Sequence, residues 1–84
     1  MKIINDLLEK NFNYTHCVEV SSVSELKMTI ESLVYEFFDN YTKSEIYEFF
    51  DRLRVYSLYE ENDKEIYDLN IKKYVSEIII ECEV

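Results

Sequence analysis

The 84-residue chain contains no glycine, proline, alanine, tryptophan or glutamine, one histidine and two cysteines. Without glycine the backbone cannot approach a phosphate closely, which excludes the P-loop and the G-x-G-x-x-G dinucleotide fingerprint. The same lack leaves any left-handed turn to Asn or Asp, with Asn11, Asn13, Asn40, Asn62, Asp63 and Asn70 as candidates. One histidine and two cysteines cannot build a usual structural zinc site, so His16 beside Cys17 reads as a half-buried strand histidine next to an inert thiol. Cations are scarce too: nine Lys and Arg stand against eighteen Asp and Glu, for a net charge of −9. That balance repels phosphate and offers no basic stripe, which disfavours nucleic acid, polyanions and anionic membranes as direct partners. No apolar run approaches transmembrane length, and Met1 to Lys10 lacks the continuous apolar stretch of a secretory signal. A cytoplasmic protein with reduced thiols at Cys17 and Cys82 is expected, in a bacterial host cell, because the missing residue types and the abundant Asn, Ile, Glu and Tyr fit an AT-rich genome such as a low-GC bacterium, phage or plasmid.

What is present is enough apolar material for a core. Hydrophobic residues make up 48% of the chain and aromatics 15%, above the level of a solvated acidic tail, and the length suits one globular domain, residues 1–84. Ile3, Ile4, Leu7 and Leu8 have helical spacing, so a short N-terminal helix is expected. Tyr14 to Val20 alternates as a strand, with Tyr14, His16, Val18 and Val20 on one face. Ser22 and Glu25 have capping-box spacing before a helix whose stripe is Leu26, Ile30, Leu33, Val34, Phe37 and Phe38, with Glu25, Thr29, Ser32, Glu36 and Asp39 opposite. A second box, Thr42 and Glu45, opens a helix with Ile46, Phe49, Phe50 and Leu53 inside, and its wet side carries an i,i+4 pair, Glu48 and Arg52. Residues 55–71 fit either a helix or a hairpin. The period of two formed by Tyr67, Leu69 and Ile71 against Asp68, Asn70 and Lys72 favours the hairpin, with its turn at Glu60 to Lys64. Ile78, Ile80, Cys82 and Val84 alternate with Glu77, Ile79, Glu81 and Glu83 as a terminal strand. The expected fold class is α+β: a short first helix, a strand, two central amphipathic helices and a C-terminal antiparallel β region of two or three strands. On that arrangement Cys17 and Cys82 point to different faces and form no disulfide.

Catalytic chemistry finds little support. Glu60, Glu61, Asp63, Glu65 and Asp68 have the charge of a calcium loop without its spacing or its turn glycine. Paired carboxylates need a pKa raised in an apolar pocket to act as acid and base, and no such pocket is legible. No enzyme, metal or cofactor is expected. Tyr35, Tyr47, Tyr56, Tyr59 and Tyr67 lie off the strongest stripes and are candidate interface anchors. The acid surplus points to a basic protein as partner. Glu36 and Asp39 fall near a helix C-terminus, where the dipole disfavours negative charge by roughly 0.3–1 kcal/mol each, and local rules broken without compensation mark functional positions.

In size, charge, AT-rich composition and lack of catalytic motifs the chain resembles the small acidic inhibitors carried by phages and other mobile elements, of which anti-CRISPR proteins and other nucleic-acid mimics are the best-known kinds. Those inhibitors share no residue motif, so the resemblance transfers no functional residues. It implies a non-catalytic inhibitor that occupies the basic site of a nucleic-acid-handling bacterial protein such as a defence nuclease. The residues expected to bind are Glu36, Asp39, Glu45, Glu48 and Asp51 on the helical pair and Glu60, Glu61, Asp63 and Glu65 in the acidic turn. The alternatives are an antitoxin or immunity protein that caps a basic nuclease toxin, and a structural or regulatory homodimer joined by edge pairing of the apolar hairpin and the C-terminal strand, where Glu81 and Glu83 would only discourage aggregation.

Overall fold

Ser22 and Thr42 start the two central helices as their spacing requires. In the computed structural model, which describes residues 17–84 and the backbone strand of residues 2–4, helix α1 spans Val23–Phe38 and helix α2 spans Lys43–Asp51. The Ser22 hydroxyl accepts from the Glu25 N–H at 3.1 Å. Glu25 does not close the box on Ser22; its carboxylate accepts from the Ser21 N–H and hydroxyl instead. At α2 the box is complete, with Thr42 Oγ1 accepting from the Glu45 N–H and Glu45 Oε1 accepting from the Thr42 N–H at 2.9 Å. Leu26, Ile30, Leu33 and Val34 are buried from α1, and Ile46 and Phe50 from α2. Thr29, expected on the wet face of α1, is only 3% exposed. Its hydroxyl donates to the Glu25 carbonyl at 2.7 Å, which satisfies the polar atom within the helix and lets its methyl pack.

Strand β2, Cys17–Val20, is the middle of a three-stranded sheet. On one side it pairs antiparallel with β1, Lys2–Ile4, and on the other parallel with β3, Arg54–Ser57. Parallel neighbours need a long crossover, and α1 and α2 supply it. Val18 and Val20 are buried under the helices beside Val55 and Ser57, while Cys17, Glu19, Arg54 and Tyr56 lie on the other face. The expected helix at the N-terminus is corrected at Lys2–Ile4, which is strand; its remainder, with Tyr14 to His16, Asn11 and Asn13, lies outside the described residues.

Beyond Ser57 the expected fold class fails: the C-terminal region is helical, and the molecule is mostly helix with one small sheet. A 3-10 turn at Glu60–Asn62 leads into α3, Asp63–Asp68, and then α4, Ile71–Glu83. The hairpin at residues 55–71 is therefore absent, and Ile66, which that hairpin would have turned to the wet side, is 1% exposed. The expected terminal strand is the second half of α4. Val75, Ile78 and Ile79 are buried and Cys82 packs against them, an i, i+3, i+4, i+7 stripe, while Ile80 is exposed. Asn70 caps this helix by accepting from the Lys73 N–H at 3.1 Å. The expected positive-φ turns are also corrected: among the described residues none has positive φ. Asn40, Asn62 and Asn70 use their side-chain amides instead, Asn40 bonding the Glu36 carbonyl and Asn62 the Ser21 carbonyl.

Side-chain contacts fix the sense of the helices. Tyr74 near the start of α4 meets Glu31 of α1, and Asp39 at the end of α1 acts on the Cys82 thiol near the end of α4, so the two run in the same direction. Tyr47 shares a 2.9 Å hydrogen bond with Ser76, and Lys43 pairs with Glu83 at 2.6 Å, so α2 runs the opposite way. Phe37 holds α1 to α2 by an edge-on contact with Phe49 and makes a second with Tyr41 in the connecting turn. One end of the molecule thus gathers the C-termini of α1 and α4 and the N-terminus of α2. The start of α1 lies about 24 Å away along its axis, joined to the 3-10 turn by the Asn62–Ser21 bond.

Candidate protein-binding surface

All nine acids expected to bind a partner fall in described segments, but not on one face. Their local chemistry divides them further. Glu45 is engaged in its capping box, and Glu48 pairs with Arg52 at 3.0 Å in the expected i,i+4 geometry. Asp63 and Glu65 lie in the first turn of α3, where the helix dipole favours them. Glu36, Asp39 and Asp51 have no such role. Each is exposed near a helix C-terminus, where the dipole works against it.

That placement extends through the molecule. None of the four α-helices among the described residues has a basic residue in its last turn. Each ends on an acid: Asp39 caps α1, and Asp51, Asp68 and Glu83 close the other three. Arg52 follows α2, but its guanidinium reaches back to Glu48. Among the described residues only Glu83 of these acids is compensated, by Lys43.

The end where α1 and α4 terminate gathers Asp39, Glu81 and Glu83 around Cys82. Burial pushes the Cys82 thiol up from its ordinary value, and the carboxylates of Glu81, Asp39 and Glu83 push it further. Desolvation of its hydroxyl, then Glu81 and Glu31, does the same to Tyr35. Glu81 and Glu83 were expected to share a strand edge; on a helix they point apart, and Glu77 and Glu81, both exposed, form the like-charged i,i+4 pair. Edge-paired dimerisation through a C-terminal strand goes with that correction, since no such strand exists. Glu31 and Glu77 are acids that the sequence reading did not place on a binding surface, and Glu81 is one that it placed on a strand edge instead of a helix. The helical stripe of Val75, Ile78, Ile79 and Cys82 was the signal that could have found Glu77 and Glu81.

The acidic turn is built differently. Glu60 and Glu61 are exposed in the 3-10 turn. Asp63 stands four residues before Tyr67 and shares its side of α3, while Glu65 faces away. Tyr67 lies against the outer edge of β3, its hydroxyl accepting from the Ser57 N–H at 3.0 Å. Of the five tyrosines singled out as anchors, Tyr35, Tyr56, Tyr59 and Tyr67 are exposed and Tyr47 is half-buried. Cys17 and Cys82 are both free thiols. Among the described residues no cluster of ligating side chains could hold a metal ion, and no helix is long and apolar enough to cross a membrane. Compared with family models, with curated proteins and with solved structures, the chain matches none.

Proposed function

We propose that the protein is a non-catalytic acidic binding protein that inhibits a nucleic-acid-handling bacterial protein by occupying its basic site, in the manner of mobile-element inhibitors of the anti-CRISPR kind. The observation that supports this most is the acid at the end of every α-helix among the described residues, with no base in any last turn. Stability favours Lys or Arg at those positions, by roughly 0.3–1 kcal/mol per site. Solubility alone is served by acids anywhere on the surface. At the end that α1 and α4 share, the acids stand where two parallel helix dipoles already point their negative ends, a local field that suits a groove built for phosphates. Carboxylates at i,i+3 and i,i+4 are about 5–6 Å apart at Cβ, a repeat comparable with that of successive phosphates.

Affinity capture from a bacterial lysate at low and moderate salt tests this, with a variant carrying E36Q, D39N, D51N, E60Q and E61Q run alongside. The expected result is a basic nucleic-acid-handling protein that the native chain retains, that salt elutes early, and that the amide variant does not hold. Equal retention by the two proteins would remove the charge-based mechanism.

A further inference from the structure

The exposed apolar side chains are not spread evenly. Tyr56, Leu58, Tyr59 and Tyr67 are 52, 53, 56 and 54% exposed and belong to one stretch, the end of β3, the 3-10 turn and α3. Hydrogen bonds to backbone groups hold this stretch together. The Leu58 N–H donates to the Val20 carbonyl at 2.9 Å, Ser57 Oγ donates to the Tyr59 carbonyl at 2.8 Å, and the Ser57 N–H donates to Tyr67 Oη. The rings are therefore mounted on a fixed backbone, so little conformational freedom is lost when something docks on them.

The surroundings select the occupant. From Val55 to Asp68 there are five acids and one cation, Lys64. Glu60 and Glu61 directly follow Tyr59, and Asp63 lies on the Tyr67 side of α3. Exposed aromatic faces beside carboxylates match the guanidinium group, which is planar, weakly hydrated, stacks on rings and bonds carboxylates with two parallel N–H groups. A lysine ammonium matches the charge and can sit over a ring, as Lys27 does on Tyr74, but it lacks the planar stacking face and the paired N–H groups. A second copy of the chain would bring the same acids against these.

We infer that this β3–α3 surface, with Tyr56, Leu58, Tyr59 and Tyr67 at its centre and Glu60, Glu61 and Asp63 at its rim, is the face that docks an arginine-bearing protein surface. The inference rests on the acidic-binder reading above and makes it more specific. The acids at the far end of α1 and α4 then act at long range to steer approach, and the tyrosine surface holds the complex.

The full chain, labelled with 15N, is titrated at low salt with an oligo-arginine peptide and with an oligo-lysine peptide of equal length. Oligo-arginine is expected to bind about fivefold more tightly, the effect of one or two ring–guanidinium contacts. Its amide shift changes are expected to centre on residues 54–68. Y56S/Y59S should abolish the preference for arginine, and E60Q/E61Q should weaken both peptides. Among the described residues neither the Tyr56 nor the Tyr59 side chain makes a hydrogen bond, and Tyr67 is left in place because it caps the β3 edge. Equal affinities, or shift changes centred on Glu36, Asp39, Glu81 and Glu83, would overturn the inference and leave the acidic-binder reading standing. Binding of neither peptide would overturn both, and a concentration-dependent mass with residues 56–67 protected would replace the arginine surface with a second copy.

Discussion

Tyr74 makes a polar contact across the α1–α4 seam. Its hydroxyl donates to Glu31 at 2.5 Å and Lys27 sits over its ring, 5.8 Å from the centroid. The hydrogen bond to Glu31, then burial, then the charges of Glu31 and Glu81 push its pKa up to about 12. The folded state thus holds this proton more tightly than the unfolded chain, where the ordinary value is 10.0. Its contribution is complete below the ordinary value and is lost as pH climbs from there through about 12. Denaturant titrations across that range should show falling stability, and Y74F should flatten most of the fall, leaving the smaller part due to Tyr35. At neutral pH, Y74F should destabilise by about 1.5 kcal/mol, the lower range for a hydrogen bond to a charged group. An unchanged alkaline limb in Y74F would place the proton elsewhere.

Each central helix was legible because two independent signals agreed: a side-chain cap three residues before an acid, and an apolar stripe of one period. After Arg54 the signals conflict. Ile78, Ile79 and Ile80 are β-branched and fit a strand of period two as well as the helical stripe of Val75, Ile78, Ile79 and Cys82, and packing of α4 on α1 and α2 decides for the helix. Tyr67, Leu69 and Ile71 misled in the same way, because the buried residue of α3 is Ile66. The acids near the end of α1 could be placed in advance, whereas the end they share with α4 required the helix to be known. Two substitutions separate helix from hairpin here. I66A should cost about 2–5 kcal/mol by urea denaturation, while Y67F should cost about 1 kcal/mol and uncover the Ser57 N–H on the sheet edge. The reverse order would restore the hairpin. At the end of α1, D39K should raise stability by roughly 0.3–1 kcal/mol, since it places a cation on a helix C-terminus among Glu81 and Glu83. A loss of stability there would remove the main physical argument for a functional acid.

Across the molecule, a charge of −9 and the negative helix ends add in the same direction. Self-repulsion destabilises the free protein, so moderate salt should raise its melting temperature, while any complex held by these carboxylates should weaken steeply as salt rises. Opposite responses of fold and complex distinguish a charged grip from a surface acidic only for dispersal. The decisive measurement is a competition: the captured nucleic-acid-handling protein is bound to its own labelled nucleic acid and titrated with this protein at low salt. Displacement of the nucleic acid is expected, mutually exclusive and lost in the amide variant. A ternary complex in which nucleic acid stays bound, or displacement that the amide variant reproduces, would contradict occupation of a basic site by these carboxylates.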